Sequence, residues 1–311
     1  MRILLTSLLL VALGCTDTSK TSVPTLPDAG NETGDPAPVT WLSISAGSHL
    51  TCGINPDNQI TCWSNFDHPS LDPYWSSETP SGEFTSVHAG GNHSCGLSIE
   101  GEAICWGDSE SLADYPTPEV SFSSITTGKR GHSCGVPSGG GEALCWGSGG
   151  NEASPVVVGS GIDFRMMSAG GLFTCAITGG GYDGLHCWGV NWADTDGQLS
   201  PPSGKYSTVS VGESHSCALT KEKEVRCWGS DEYGQSSPPV ESLSLVSSGW
   251  QHSCGLTEAK EAICWGSDEY GQSTPPEGSF VTISAGDKHT CALNINGEAI
   301  CWGLYPEPSD T

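Results

Sequence analysis

An all-β fold built from seven repeated units is what this sequence predicts, and three observations carry the prediction. A hairpin bearing two cysteines recurs seven times along the chain. Gly and Pro number 42 and 20 among 311 residues while charged residues make up only 15%, a balance that favours short strands and turns over helices. Beyond the first fifteen residues no apolar periodicity of helical spacing stands out.

The hairpin itself comes first. Its clearest copy runs His93-Ser94-Cys95-Gly96-Leu97, turns at Ile99-Glu100-Gly101, and returns as Ala103-Ile104-Cys105-Trp106-Gly107. Antiparallel pairing about that turn sets Cys95 opposite Cys105, Gly96 opposite Ile104 and Leu97 opposite Ala103. Alternation puts both cysteines, Leu97 and Ala103 on one face and Trp106 with Ile104 on the other, over Ser94 and Gly96. A Ser or Thr precedes every first cysteine, a Gly or Ala follows it, and a Trp follows every second cysteine. Small residues opposite a ring and a branched chain account for that rule.

Opposed cysteines lie within reach of a disulfide. The expected bridges are Cys52–Cys62, Cys95–Cys105, Cys134–Cys145, Cys175–Cys187, Cys217–Cys227, Cys254–Cys264 and Cys291–Cys301. Many connectivities are formally possible, but a spacing held near ten residues in every unit favours the local scheme. Each would contribute roughly 3 kcal/mol by the chain-entropy model. Zinc thiolates are the rival, disfavoured because structural sites gather four ligands with cysteines two to four residues apart. The three-residue turn needs a left-handed residue at its end. Gly101, Gly297 and Asn58 suit that position; Lys223 and Lys260 fit less well, and another turn is expected there.

Taken in order, residues 1–14 read as a signal peptide: Arg2, then a short apolar run, then Gly14. Val11-Ala12-Leu13-Gly14-Cys15 resembles a bacterial lipobox, which implies lipidation of Cys15; Ala12 departs from the commonest form, which has Leu there. Fourteen cysteines form seven pairs and Cys15 is left over. Ordinary secretion with nearby cleavage is the alternative. Either route places the chain outside the cytoplasm, where disulfides persist. A lipidated Cys15 would anchor it to a bacterial envelope, at the outer membrane where the host has one, since Thr16 lacks an acidic retention signal. Residues 15–40, rich in Thr, Ser and Pro, are expected to be a disordered tether with a reach of roughly 25–30 Å. Residues 41–303 hold the repeats and 304–311 a short tail.

Each repeat also has an earlier part, an aromatic or large apolar residue followed three positions on by an aliphatic one or Met, as in Trp41…Ile44, Phe84…Val87 and Tyr206…Val209, and then a small residue with Gly. After the hairpin, Gly-Ser-Asp-Glu-Tyr-Gly-Gln occurs identically at 229–235 and 266–272, each leading to Pro-Pro, and a weaker form begins at Gly197-Gln198. First cysteines are 37 to 43 residues apart. A period near 40 built of short strands points to blades packed around a ring, since one small sheet cannot cover both its faces.

The pattern aromatic-x-x-aliphatic-x-Ala-Gly-x-x-His-Ser/Thr-Cys-Ala/Gly-Leu, then Cys-Trp-Gly, then Gly-Gln, resembles the RCC1-type (regulator of chromosome condensation) repeat from Trp41 to Gly303. The resemblance implies an all-β, seven-bladed RCC1-like β-propeller with one bridged hairpin per blade, of the secreted bacterial variety. Copies one to three lack the Gly-Gln step, which leaves ring closure open, with the tether a candidate for a missing outer strand.

Function is less legible. A net charge of −25 argues against binding nucleic acid through phosphates. His93, His132, His215, His252 and His289 stand two residues before a first cysteine, with His49 one residue further upstream. Strand parity aims them at the neighbouring blade, and equivalent positions about 10 Å apart cannot share a zinc. Structural packing or capping is expected. The acidic loops at Asp231-Glu232 and Asp268-Glu269 lack a calcium-loop ligand ladder, and catalytic motifs are absent. No enzyme activity, cofactor or metal is expected.

Tryptophans outside the repeat grammar are Trp75, Trp192 and Trp250. Phe66, His68, Tyr74 and Trp75, in the long first inter-hairpin loop, are the candidate ligand-binding cluster, because exposed Trp and Tyr are enriched at hot spots; packing onto the propeller is the competing role. The expectation is a monomeric, lipid-anchored extracytoplasmic module that binds a protein or other surface ligand. Family members exchange guanine nucleotide on a small GTPase or inhibit secreted β-lactamases. Exchange does not suit an exported acidic chain. Inhibition of a secreted enzyme and a structural or adhesive surface role are the alternatives.

Overall fold

The computed structural model describes residues 39–64, 79–107, 117–147, 156–158, 161–189 and 194–304. Among them are twenty-two strands and no helix. They form seven antiparallel sheets, one per repeat. Blade 1 is β1 (Ser43–Ala46), β2 (Leu50–Ile54) and β3 (Ile60–Ser64). Blade 2 is β4 (Phe84–Ala89), β5 (His93–Ser98) and β6 (Ala103–Gly107). Blade 3 has β7 (Phe122–Thr127), β8 (His132–Pro137), β9 (Ala143–Gly147) and an outer β10 (Val156–Val158) antiparallel to β9. Blade 4 holds β11 (Phe164–Ala169), β12 (Phe173–Thr178) and β13 (Leu185–Gly189). Blade 5 holds β14 (Tyr206–Val211), β15 (His215–Thr220) and β16 (Val225–Gly229), and blade 6 holds β17 (Leu243–Ser248), β18 (His252–Thr257) and β19 (Ala262–Gly266). Blade 7 is β20 (Phe280–Ala285), β21 (His289–Asn294) and β22 (Ala299–Gly303).

The hairpin register is the one the sequence predicts: Cys95 faces Cys105, Gly96 faces Ile104, and Leu97 faces Ala103. All seven cysteine pairs are bridged within their hairpins, with Cα atoms 4.0–4.1 Å apart. In blades 2 to 7 the first strand slips register after its leading residue, as between Phe84 and Ser86. That irregularity keeps the leading aromatic, or Leu243 in blade 6, and the aliphatic residue or Met three positions later on one buried side. The small residue after each first cysteine answers to that aromatic. A side chain at Gly96 would run into Phe84 and Ile60, and one at Gly135 into Phe122.

The core lies in the seams. Cys52, Ile54 and Ile60 of blade 1 pack on Phe84, Val87 and Trp106 of blade 2. The same arrangement recurs at every seam. The last one sets Cys291 and Leu293 of blade 7 against Trp41, Ile44 and Trp63 of blade 1. Each blade thus offers its disulfide face to the next blade and its tryptophan face to the one before. First strands are neighbours in an unbroken cycle, β1 touching both β4 and β20. Among the described residues the ring closes by face packing, with β1 on β20 and β21; the tether suggested as a source of an outer strand lies outside the described residues up to position 38.

One sequence expectation is corrected. Lys223 and Lys260 do not use a different turn; both have φ of 67°, in the left-handed region with Asn58 at 60° and Gly101 at 84°. The carbonyl of this residue accepts the first-strand amide of the next blade, as in Phe122 N to Gly101 O at 2.7 Å and Phe280 N to Lys260 O at 2.8 Å. The seam bond fixes the turn, and lysine carries the strain.

Candidate functional site

Seven glycines set the geometry of one mouth of the ring. Gly47, Gly90, Gly128, Gly170, Gly212, Gly249 and Gly286 follow the first strands, and a methyl group on any of them would collide with the carbonyl oxygen of the next. That carbonyl accepts the amide of the residue after the preceding glycine. Ser48 N donates to Gly90 O at 3.1 Å, Lys129 N to Gly170 O at 2.8 Å, Trp250 N to Gly286 O at 3.1 Å, and Asp287 N to Gly47 O at 3.3 Å. Gly91, Gly171 and Glu213 donate in the same way, so seven bonds encircle the axis. Inside them runs a second ring, where the hydroxyl of Ser45, Thr126, Ser168, Ser210, Ser247 or Ser284 accepts an amide of the next blade at 2.9–3.0 Å. His88 holds the seventh position, and burial lowers its pKa to about 4.

The recurrent histidines tie blades together, as strand parity predicts. Nε2 of His93, His132, His215, His252 and His289 lies 2.7–3.0 Å from the Ser or Thr hydroxyl of the next blade. That residue is the one before the next blade's first cysteine. Leu50 and Phe173 replace histidine in blades 1 and 4, and beyond Leu50 the Ser94 hydroxyl has no partner among the described residues. Burial pushes the pKa of His215 and His252 down to about 3, and that of His132 and His289 down to about 4. These are neutral structural side chains. His49 lies outside this set, at the rim. Among the described residues no three His, Cys, Asp or Glu side chains gather as a metal site.

The Gly-Gln loops are also structural. The carbonyls of Gln198, Gln235 and Gln272 accept the indole N–H of Trp228, Trp265 and Trp302 in the following blade at 2.9–3.0 Å. The exposed Asp231 carboxylate accepts from Ser236 N at 2.9 Å and from the Ser237 hydroxyl at 2.8 Å. Asp268 repeats this with Ser273 and Thr274.

What the repeat does not dictate is the pair of residues after each ring glycine. These are Ser48-His49, Gly91-Asn92, Lys129-Arg130, Gly171-Leu172, Glu213-Ser214, Trp250-Gln251 and Asp287-Lys288. No pair occurs twice. Their backbones make the ring bonds, so no one side chain is required; Gly91 and Gly171 are the exceptions, where a methyl group would meet the carbonyl of Lys129 or Glu213. Blade 3 sends both of its cations across the mouth. Lys129 Nζ reaches Asp287 of blade 7 at 2.7 Å, and its side chain is only 10% exposed. Arg130 Nε reaches Glu213 of blade 5 at 2.6 Å. Burial opposes ionisation of Asp287, but Lys129, Ser48 and His49 together outweigh it and hold the carboxyl below its usual range. Lys288 Nζ lies over the rings of Tyr270 and Trp250, at 4.7 and 5.8 Å from their centroids. Sequence reasoning singled out Trp250 but missed the rim, because turn residues that answer to no packing rule leave no periodic signal.

Phe66, His68, Tyr74 and Trp75 lie outside the described residues, as do Cys15 and Trp192. The segment that holds the four aromatic-cluster residues leaves blade 1 at Ser64, whose strand partner is Leu50, close to the rim turn. The third strands of blades 2, 3 and 4 end on the same side, opposite His93, His132 and Phe173.

Comparison with known proteins agrees with this architecture. Residues 84–111, 206–235, 244–272 and 280–304 match the regulator of chromosome condensation (RCC1) repeat. The fold is similar to the CRINKLY WD40 ectodomain of the Arabidopsis thaliana receptor kinase ACR4. The TM-score is 0.69 at 23% identity, over 86% of this chain and 98% of that one. It is similar to the whole ectodomain of the receptor kinase CR4 of Physcomitrella patens, with a TM-score of 0.68 at 22% identity over 84% and 72%. It is similar as well to Prp20p of Saccharomyces cerevisiae, a protein studied for binding Gsp1p and histones, with a TM-score of 0.62 at 17% identity over 86% and 83%. No curated protein sequence matches. Seven sheets closed into one ring make this chain a seven-bladed, RCC1-like β-propeller, and four stretches of it match the RCC1 repeat.

Proposed function

We propose that this propeller is a binding module that works outside the cytoplasm, held to a bacterial envelope by a lipid on Cys15, and that it recognises a protein through the glycine-ring rim. The observation that carries the reading is the rim itself. Seven turns stand on one rigid, bridged scaffold, and their side chains differ in every copy. Binding residues concentrate on loops positioned in this way. Trp250, Tyr270 and Arg130 are of the types that dominate interface energetics. Seven disulfides support an oxidising location. Among similar folds are two receptor ectodomains and a protein that binds Gsp1p and histones. The reading is one of binding and not of catalysis. Inhibition of a secreted enzyme is a special case of it.

Two measurements test it. Metabolic labelling with a radioactive fatty acid should mark the wild-type chain and leave Cys15→Ser unmarked and released; equal retention of both would remove the lipid anchor. Crosslinked capture from envelope extracts should return one partner in stoichiometric amount. Absence of any such partner favours a structural or adhesive role.

A further inference from the structure

Lys288 stands apart from the other rim cations. Lys129 and Arg130 each grip a carboxylate, Asp287 and Glu213. Lys288 has no carboxylate within ion-pair distance among the described residues. It is held instead by aromatic rings and by the Tyr270 hydroxyl at 3.4 Å. Asp287, next to it in sequence, is committed to Lys129. The result is a half-buried ammonium, fixed in place and not neutralised, in a chain whose net charge is −25.

The chain supplies its own control. Tyr270 and Tyr233 occupy the same place in two identical seven-residue loops, 266–272 and 229–235. Eighteen residues beyond Tyr270 comes Lys288; the same step from Tyr233 reaches Gln251. Tyr233 is left 45% exposed. The loop is therefore common architecture, and the cation over its ring is particular to the seam between blades 6 and 7. Trp250, whose amide belongs to the glycine ring, provides the second aromatic wall.

We propose that this corner of the rim, Lys288 with Trp250 and Tyr270, docks an acidic side chain of a protein partner, presented beside an apolar or aromatic residue. The proposal rests on the binding-module reading and adds the place and the chemistry. An ammonium of this kind attracts a carboxylate, and the indole offers apolar area next to it. A free small carboxylate at one part-exposed ammonium gains little against solvent screening. A protein segment adds contacts with the neighbouring turns, and its carboxylate is already fixed to a backbone.

The test is to pan a random-peptide phage library on the oxidised full chain, with free acetate as competitor in a parallel arm. Enriched peptides are expected to carry Asp or Glu beside an aromatic or apolar residue and to persist in acetate. Lys288→Met and Trp250→Ala should each weaken their binding by about tenfold or more, with unchanged melting, while Lys205→Met, at an exposed lysine before β14 and at the far end of that strand from Gly212, should not. Enrichment of basic or uncharged sequences would overturn the proposal. So would acidic peptides that bind Lys288→Met as well as wild type, loss of the peptides to acetate, or no enrichment at all. A partner captured from envelope extracts equally by wild type and Lys288→Met would remove this corner and leave the binding module standing. Failure of capture together with acidic peptides bound at Lys288 would do the reverse.

Discussion

At the residue scale the interior histidines decide how the fold meets acid. A histidine whose folded pKa lies near 3 or 4 against 6.5 unfolded is bound as the neutral form. Its stabilisation is complete above pH 6.5 and is lost as pH falls from there toward the folded pKa, by about 1.4 kcal/mol per unit for each such group. Denaturant midpoints should therefore fall from pH 7 to pH 5. His252→Leu copies what Leu50 does in blade 1. It should cost roughly 1–2 kcal/mol at pH 7, since the Thr290 hydroxyl loses one partner but keeps its 3.1 Å bond to Gln272 O. It should also flatten the pH dependence; an unchanged slope would show that His252 does not titrate as described. The rim pair makes a second case. Lys129→Met leaves the Asp287 carboxyl largely enclosed without its cation, and should cost about 2 kcal/mol. Adding Asp287→Asn should recover part of that loss, because the pair is coupled.

At the element scale the hairpin shows what a sequence discloses and what it withholds. Register, the side taken by each cysteine and the aim of the histidines all followed from alternation, since a one-residue slip would have moved every side chain to the wrong face. The turn at Lys223 and Lys260 did not, because its geometry is set by an amide on the next blade and not by its own residues. That misreading yields a prediction. Lys260 is exposed, makes no ion pair among the described residues and sits at φ 67°, so Lys260→Gly should relieve backbone strain. Stability should rise by about 0.5–1 kcal/mol by chemical denaturation. A loss of stability would mean that the lysine side chain contributes more than its backbone costs. The rim was illegible for a related reason. Its side chains obey no period, and its shape comes from glycine carbonyls of adjacent blades.

At the scale of the whole molecule, seven copies of one sheet bury their faces only against one another, and the last seam, Trp41 and Ile44 on Leu293, turns a row into a ring. Closure gives the rim its rigidity and sets Lys129 opposite Asp287. The account depends on every repeat being a self-contained bridged hairpin, since a link between repeats would shift cysteines off the seam face on which each blade packs. Mass spectrometric mapping of a non-reduced digest of the oxidised full chain tests this most directly. The prediction is seven links, Cys52–Cys62, Cys95–Cys105, Cys134–Cys145, Cys175–Cys187, Cys217–Cys227, Cys254–Cys264 and Cys291–Cys301, with no other pairing among these fourteen residues. Systematic links between different repeats, or free thiols throughout, would contradict it.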